Sequence, residues 1–276
     1  MLNICICQLI KDEQRYIEEW IDYHLNLGIS KFVLFEDYNS TSHSEVLSKY
    51  GNKVILYKLL DVLNDDEIKV IKDNTLAANR QHAVWQCFYR LHKNDFDCCF
   101  FIDPDEYIHC DYDIFHNDLQ CLYEDPIISI IRYKWKCVTA NGNIKDPFPN
   151  QKYSIVNTYT QLLNNKNLEY DSNFKYSNFK CVIFLRKIKS YNDFNHIPHG
   201  PWEGNHIVYS TIPIYHYLTK SWEEYVWRLL QKGEQQNKKY DRKLEMFFEI
   251  NTDLLSYKDD LMKEYQNVKY KYNDYT

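Results

Sequence analysis

Residues 98–107 of this 276-residue chain read Cys98-Cys99-Phe100-Phe101-Ile102-Asp103-Pro104-Asp105-Glu106-Tyr107. Five apolar residues in succession, without polar alternation, describe a strand buried on both faces. Such a strand requires a sheet with a layer on each side, which sets the fold class before anything else is read. The run ends in an acidic cluster. In open α/β sheets ligands bind beyond the carboxyl ends of the strands, so carboxylates delivered there have two readings. Asp103 and Asp105, two positions apart, can aim oxygens at one point and suit Mg²⁺ or Mn²⁺, which leave part of their shell to phosphate oxygens. The same Asp and Pro residues also make an ordinary tight turn.

The residues before this stretch alternate between apolar runs and helical patterns. Asn3–Leu9 reads as a first strand. A helix follows, with Tyr16, Ile17, Trp20, Ile21, His24 and Leu27 on one side, Asp12 as its N-cap and Gly28 as its stop. Lys31–Glu36 is a second strand, Ser42–Tyr50 a short helix closed by Gly51, and Lys53–Lys58 a third strand. After an acidic loop, Asn74–Leu91 is a long amphipathic helix leading to a strand over Asp97–Ile102. This order predicts a mixed, mostly parallel sheet flanked by helices.

Beyond residue 110 the texture changes. A helix is expected over Asp113–Tyr123, a strand over Ile127–Lys136, and a Gly/Asn/Pro-rich loop over Asn141–Asn150. β-like runs follow at Ser154–Leu162, Lys180–Arg186 and His206–Tyr217. Ser221–Tyr240 and Arg242–Tyr265 read as C-terminal helices, and Lys269–Thr276 as a frayed polar end.

Composition excludes several classes of protein. At 45% hydrophobic and 26% charged, the chain can build a core. A net charge of −6 without a basic block in the first two thirds argues against nucleic acid as a partner. No signal peptide and no apolar run of membrane-spanning length are apparent, so a cytoplasmic location is expected. Nine cysteines, several within apolar strands, read as buried thiols rather than a disulfide framework. Cys5 and Cys7 share a strand face, with no companion pair at zinc spacing. The 25 tyrosines suit half-buried strands and ring-stacking sites, and equally fit an AT-rich coding sequence.

A set of short motifs carries a family resemblance. Lys11-Asp12-Glu13, Glu18-Glu19-Trp20-Ile21-Asp22-Tyr23-His24 and Leu27-Gly28 resemble the K-N-E…EW-x-x-H…LG opening of GT-A glycosyltransferases of the family 2-like and family 92 group. Phe35-Glu36-Asp37-Tyr38-Asn39-Ser40-Thr41 is similar to the group's Y-D-N-x-S-x-D, with Tyr38 for Asn and Ser42 for Asp. Arg80-Gln81 and Asp103–Tyr107 match the R-Q and D-x-D-E-[FY] elements. Trp135 and Gly142 frame a W-x-x-F-G-x-x-G loop in which Val138 and Thr139 replace Phe and Gly. Lys180–Ile183 resembles the K-x-I-V strand, and His216-Tyr217 with Lys220-Ser221 the late H-Y-x-x-K-S element. The motifs run in family order from about residue 4 to 233.

The resemblance implies a GT-A (Rossmann-like) fold and a transferase that uses a nucleotide-diphosphate sugar, UDP by family expectation, with Mn²⁺ or Mg²⁺, and a glycan acceptor. It places a nucleotide-sugar-binding half at residues 1–110, an acceptor-binding half at 111–240 and a C-terminal helix and tail at 241–276. Asp105 and His216 are the implied metal ligands, and Asp103 contacts ribose or metal. Glu106 supports the loop. Lys11, Glu13, Gln81, Lys220 and Ser221 join the donor contacts. Asp37 has two readings, a base or ribose acceptor and a strand-end turn residue. Arg80 either forks onto a phosphate or carboxylate or snorkels to solvent. His216 is either a satisfied core residue or an imidazole ligand. An inverting transfer needs a base; Glu203, beside Trp202, is the first candidate and Asp146 the second. Two other readings stand beside the transferase. A nucleotidyltransferase would place a Gly-rich phosphate loop after the first strand, where Lys11-Asp12-Glu13 has no glycine. A degenerate transferase fold would bind glycans or partners without turnover.

Overall fold

The computed structural model describes residues 1–72, 77–146, 154–163, 179–188, 206–231 and 240–273. Eight strands form one sheet in the order β3-β2-β1-β4-β7-β6-β8-β5. They are β1 (Ile4–Ile10), β2 (Lys31–Glu36), β3 (Val54–Lys58), β4 (Cys98–Phe100), β5 (Glu106–Ile108), β6 (Ile128–Cys137), β7 (Phe179–Phe184) and β8 (His206–His216). Strands β3, β2, β1 and β4 pair in parallel. β7 then joins β4 antiparallel, and β6 joins β7 antiparallel. The sheet is thus mixed, with the parallel run β3-β2-β1-β4 lying within the first hundred residues. The expected β-α alternation is present there because each parallel return needs a crossover.

The helices are α1 (Ile17–Asn26), α2 (Ser44–Leu47), α3 (Leu59–Val62), α4 (Asp65–Lys72), α5 (Ala77–His92), α6 (Tyr112–Glu124), α7 (Ile155–Thr158), α8 (Trp222–Gln231), α9 (Tyr240–Ile250) and α10 (Lys258–Asn273). The chain divides into two compact units. One comprises the described residues of Met1–Trp135 and Tyr170–Tyr215, the other those of Lys136–Glu169 and His216–Thr276.

In the first unit the alternation of β1 sorts the core. Cys5 and Cys7 face a cluster with Val33, Phe35, Val84, Phe88, Cys99 and Phe101. Ile4 and Ile6 are equally buried. Both faces of β1 are therefore covered, as the unbroken apolar run requires. Cys5, Cys7, Cys87, Cys98, Cys99 and Cys181 are buried free thiols. Burial pushes Cys98 and Cys99 well up from the ordinary thiol range, so they behave as core residues. Gly28 (φ +94°) ends α1, and a Cβ there would lie 2.2 Å from His116 Nε2. In the second unit Trp222, Tyr225, Leu229, Leu244, Phe247, Phe248, Leu254 and Leu261 build a core shared by α8, α9 and α10.

Several sequence expectations are corrected. Asp12 does not cap α1, which begins after Tyr16. Asp12 has φ +53° and ties two loops together: its Oδ1 accepts from the Thr41 N–H and hydroxyl, both at 3.0 Å. The acidic loop before residue 74 contains α4, opened by a reciprocal cap. Glu67 N–H donates to Asn64 Oδ1 and Asn64 N–H to Glu67 Oε2, each at 2.9 Å. The β-like run at Ser154–Leu162 is the helical turn α7, held by Asn157 N–H on Ser154 Oγ, followed by a single bridge from Leu162 to Val138. The helix expected over Arg242–Tyr265 breaks at Asn251. Its buried amide accepts from Ala140 N–H and donates to the Phe247 carbonyl at 2.7 Å. The chain then passes through a 3₁₀ stretch into α10, which runs to Asn273 where fraying was expected. Among the described residues no helix is long and apolar enough to cross a membrane.

Candidate functional site

The parallel strands β2, β1 and β4 are neighbours and point the same way, so their carboxyl ends lie along one edge of the sheet. The β4 end carries the acidic turn. Asp103 O accepts from Glu106 N–H at 2.9 Å, a four-residue turn with Pro104 at its second position. Glu106 Oε2 returns to Asp103 N–H, also at 2.9 Å. The turn reading of the sequence is thus realised, and Glu106 supports the loop as expected.

The turn is fastened from both neighbouring strands. The β1–β4 register pairs Ile6 with Phe100, which brings Gln8 beside the turn, and Gln8 Nε2 donates to Asp103 Oδ1 at 2.5 Å. The antiparallel β4–β7 register pairs Phe100 with Val182, which brings Lys180 to the other side. Lys180 Nζ lies 2.5 Å from Asp103 Oδ2, 3.4 Å from Glu106 Oε1 and 5.4 Å from the centre of the Trp135 ring. Burial opposes the charge on Lys180. Asp103 and Glu106 outweigh it and hold the ammonium above its ordinary range. Glu106 is fully buried, and burial pushes its carboxyl well up, against the pull of Lys180. Asp105, at the tip of the turn, is 7% exposed. From the α1 side Trp20 Nε1 donates to Glu106 O at 2.9 Å, and the His24 ring stacks on Tyr107.

The β2 end carries a second group. Asp37 is buried, and Arg80 Nη1 donates to its Oδ2 at 2.8 Å. Asn39 N–H donates to Oδ1, and the Arg80 guanidinium lies 5.7 Å from the centre of the exposed Tyr38 ring. Of the two readings of Arg80, contact with a carboxylate is the one observed, through the single Nη1 bond to Asp37. Behind Asp37, Glu36 Oε1 accepts from both His43 N–H (2.6 Å) and His43 Nδ1–H (2.9 Å). His43 Nε2 accepts the backbone N–H of Glu13 at 3.0 Å, which fixes the neutral ring with its proton on Nδ1. The loop after β1, with Lys11 and Glu13 half-buried, is thereby tied to the loop after β2. Gln81 is half-buried on α5.

The remaining expected residues lie in the second unit or outside the described residues. His216 is buried and its carbonyl accepts from Val138 N–H at 2.9 Å. Ser221 Oγ accepts from Glu224 N–H and caps α8. Lys220, at φ +50° and 2% exposed, sets its ammonium 3.2 Å from the fully buried Glu224. Asp146 is half-buried, and its N–H donates to Glu223 Oε2 at 2.7 Å. Glu203 and Trp202 fall outside the described residues. Sequence reasoning missed Gln8, His43 and the task of Lys180. A polar Gln8 inside the apolar strand β1 was the available signal.

A resident metal cage is absent among the described residues: no group of three or more His, Cys, Asp or Glu side chains is arranged to hold one. Both Asp103 oxygens face nitrogen donors. A metal that shares its shell with a diphosphate needs just one or two carboxylates.

The model of glycosyltransferase family 92 matches residues 1–271. The chain belongs to this family. The resemblance read from the motifs is borne out at family 92, and the α/β GT-A fold class with it. No curated protein matches the chain significantly. Solved structures offer remote likenesses. Glucosyl-3-phosphoglycerate synthase from Mycobacterium tuberculosis, solved with Mn²⁺, UDP and glucosyl-3-phosphoglycerate, is 14% identical over 49% of this chain and 44% of its own, with a TM-score of 0.32. HddC from Yersinia pseudotuberculosis is 10% identical over 78% of this chain and 93% of its own, with a TM-score of 0.39. The family 92 chain spans less than half the length of the first solved structures it matches.

Proposed function

We propose that this family 92 chain is a glycosyltransferase that moves a sugar from a nucleotide-diphosphate donor, UDP by family expectation, to a hydroxyl of a glycan acceptor, with a divalent metal and inversion at the sugar carbon. The observation that carries the reading is the Asp103–Glu106 turn at the carboxyl end of β4, beside the parallel ends of β1 and β2, where α/β folds bind nucleotides. Asp105 is the carboxylate for the metal. When bound, the metal offsets charge that grows on the leaving diphosphate. Asp37, charged and oriented by Arg80, is the acceptor for base or ribose hydrogen bonds. In the transfer the acceptor oxygen bonds to the sugar carbon as the bond to the diphosphate breaks. The diphosphate leaves with the electron pair and a base takes the acceptor proton. Glu203 is assigned as that base, with Asp146 as the alternative; near-normal transfer by a folded Glu203→Gln variant would move the assignment to Asp146.

The test is a thermal-shift and calorimetric panel of UDP, GDP and CMP, each with and without Mn²⁺. A ligand at a hundred times its Kd stabilises the native state by about 2.7 kcal/mol. Metal-dependent stabilisation by UDP, lost in Asp105→Ala, is the expected result. His216→Ala, Lys220→Met and Ser221→Ala in the same panel test their motif-based assignments. Binding of no nucleotide under any condition would overturn the reading in favour of a transferase fold that binds without turnover.

A further inference from the structure

Lys180 takes part in none of the chemistry above, yet it is 6% exposed and surrounded by acid. It sits on β7, whose antiparallel register continues past Phe100↔Val182 to set it against the residues leading into Asp103. Its backbone is held between β4 and β6, where it pairs with Tyr133, and its ammonium is covered by the Trp135 ring. Nζ lies 2.5 Å from Asp103 Oδ2 and 3.4 Å from Glu106 Oε1. The opposite oxygen of Asp103 faces Gln8 Nε2, also at 2.5 Å. A divalent cation drawn to Asp103 would therefore meet a fixed ammonium on one oxygen and an amide donor on the other.

We propose that Lys180 is a positioning residue, the built-in cation of the acidic turn, which occupies Asp103 and keeps it out of the metal's shell. This rests on the nucleotide-sugar reading of the site. Asp103 is then structural, held by a residue 77 positions away in sequence. A carboxylate released from an ammonium beside other carboxylates becomes a metal ligand, because hard divalent cations take oxygen donors.

The full chain is titrated with Mn²⁺ in the absence of nucleotide, with free Mn²⁺ read by electron paramagnetic resonance. Lys180→Met is expected to bind Mn²⁺ at least about tenfold more tightly than the wild type, since three neighbouring carboxylates lose their internal cation. Adding Asp103→Asn should return the affinity to the wild-type level, and Lys180→Arg, which keeps the charge, should not gain affinity. A Lys180→Met variant with native near-ultraviolet circular dichroism and unchanged Mn²⁺ affinity overturns the proposal. Should Lys180→Met fail to fold, Lys180→Gln is titrated with Mn²⁺ in its place. Lys180→Gln is expected to bind Mn²⁺ at least about tenfold more tightly than wild type; a folded variant with unchanged affinity overturns the proposal. Absence of UDP binding in the wild type would sink the functional reading instead, and leaves the nucleotide-free Mn²⁺ comparison to decide the role of Lys180.

Discussion

Acid should loosen the contact between α1 and the acidic turn through His24. The ring is fully buried, its Nδ1 lies 2.8 Å from the Trp20 carbonyl, and its Nε2 accepts the Ile108 N–H at 3.4 Å. Burial lowers its pKa to about 4, against a smaller opposing effect of the hydrogen bond to Trp20. In the unfolded chain the imidazole takes its proton near pH 6.5. Between about pH 6.5 and about pH 4 the unfolded state therefore binds a proton that the folded state refuses. Stability from this residue is complete above pH 6.5, falls as the pH drops, and levels off below pH 4. Each pH unit in that window is worth about 1.4 kcal/mol, which gives a loss of about 2 kcal/mol from pH 7.5 to pH 5. Urea unfolding across that range, for the wild type and for His24→Leu, isolates the effect because the carboxylates titrate in both. At pH 7.5 His24→Leu should be about 1–3 kcal/mol less stable, since Ile108 N–H loses its acceptor. By pH 5 the gap should close by about 2 kcal/mol. A gap constant to within about 0.5 kcal/mol over the range would refute the reasoning.

Two further substitutions test the packing. Arg80→Met leaves the buried Asp37 without its cation and should cost about 2–3 kcal/mol in urea unfolding, below the 3–5 kcal/mol of a fully buried pair because Arg80 is 24% exposed. Asp37→Asn, which leaves its charge on the exposed side, should cost less than half as much, and the reverse order would contradict the pairing. Gly28→Ala places a Cβ 2.2 Å from His116 Nε2 at φ +94° and should lower Tm by about 2–4 °C for each kcal/mol it costs, with part recovered in Gly28→Ala/His116→Ala.

What was legible in the sequence follows from burial. Strands β1, β2 and β4 stand out because both their faces are covered and their sequences are largely apolar. Lys31–Glu36 was read to the residue, and Gly28 as a helix stop, since few residues other than glycine accept φ +94°. Helix α4 was lost because it opens on three successive acidic residues and reads as an acidic loop, although Asn64-Asp65-Asp66-Glu67 spells its capping box. The break at Asn251 carries no glycine or proline; a tertiary contact with Ala140, 111 positions away, makes it. The acidic turn was legible as a candidate. Its fastening by Gln8 and Lys180 was not, because strand order and register decide which side chains meet there.

The dependence of Asp103 on Lys180 also has a temporal side. The chain is made from its N-terminus at about 5–20 residues per second, so Lys180 is joined about 4–15 seconds after Asp103. For that interval β1, β2 and β4 exist on the nascent chain with their acidic turn unneutralised, and the β4 edge that β7 will cover is open. The parallel half therefore lacks the strand that flanks β4 until β7 has been made. Its completion waits for an element encoded well beyond it, and the open β4 edge is the surface that chaperones or misplaced strands would meet in the meantime.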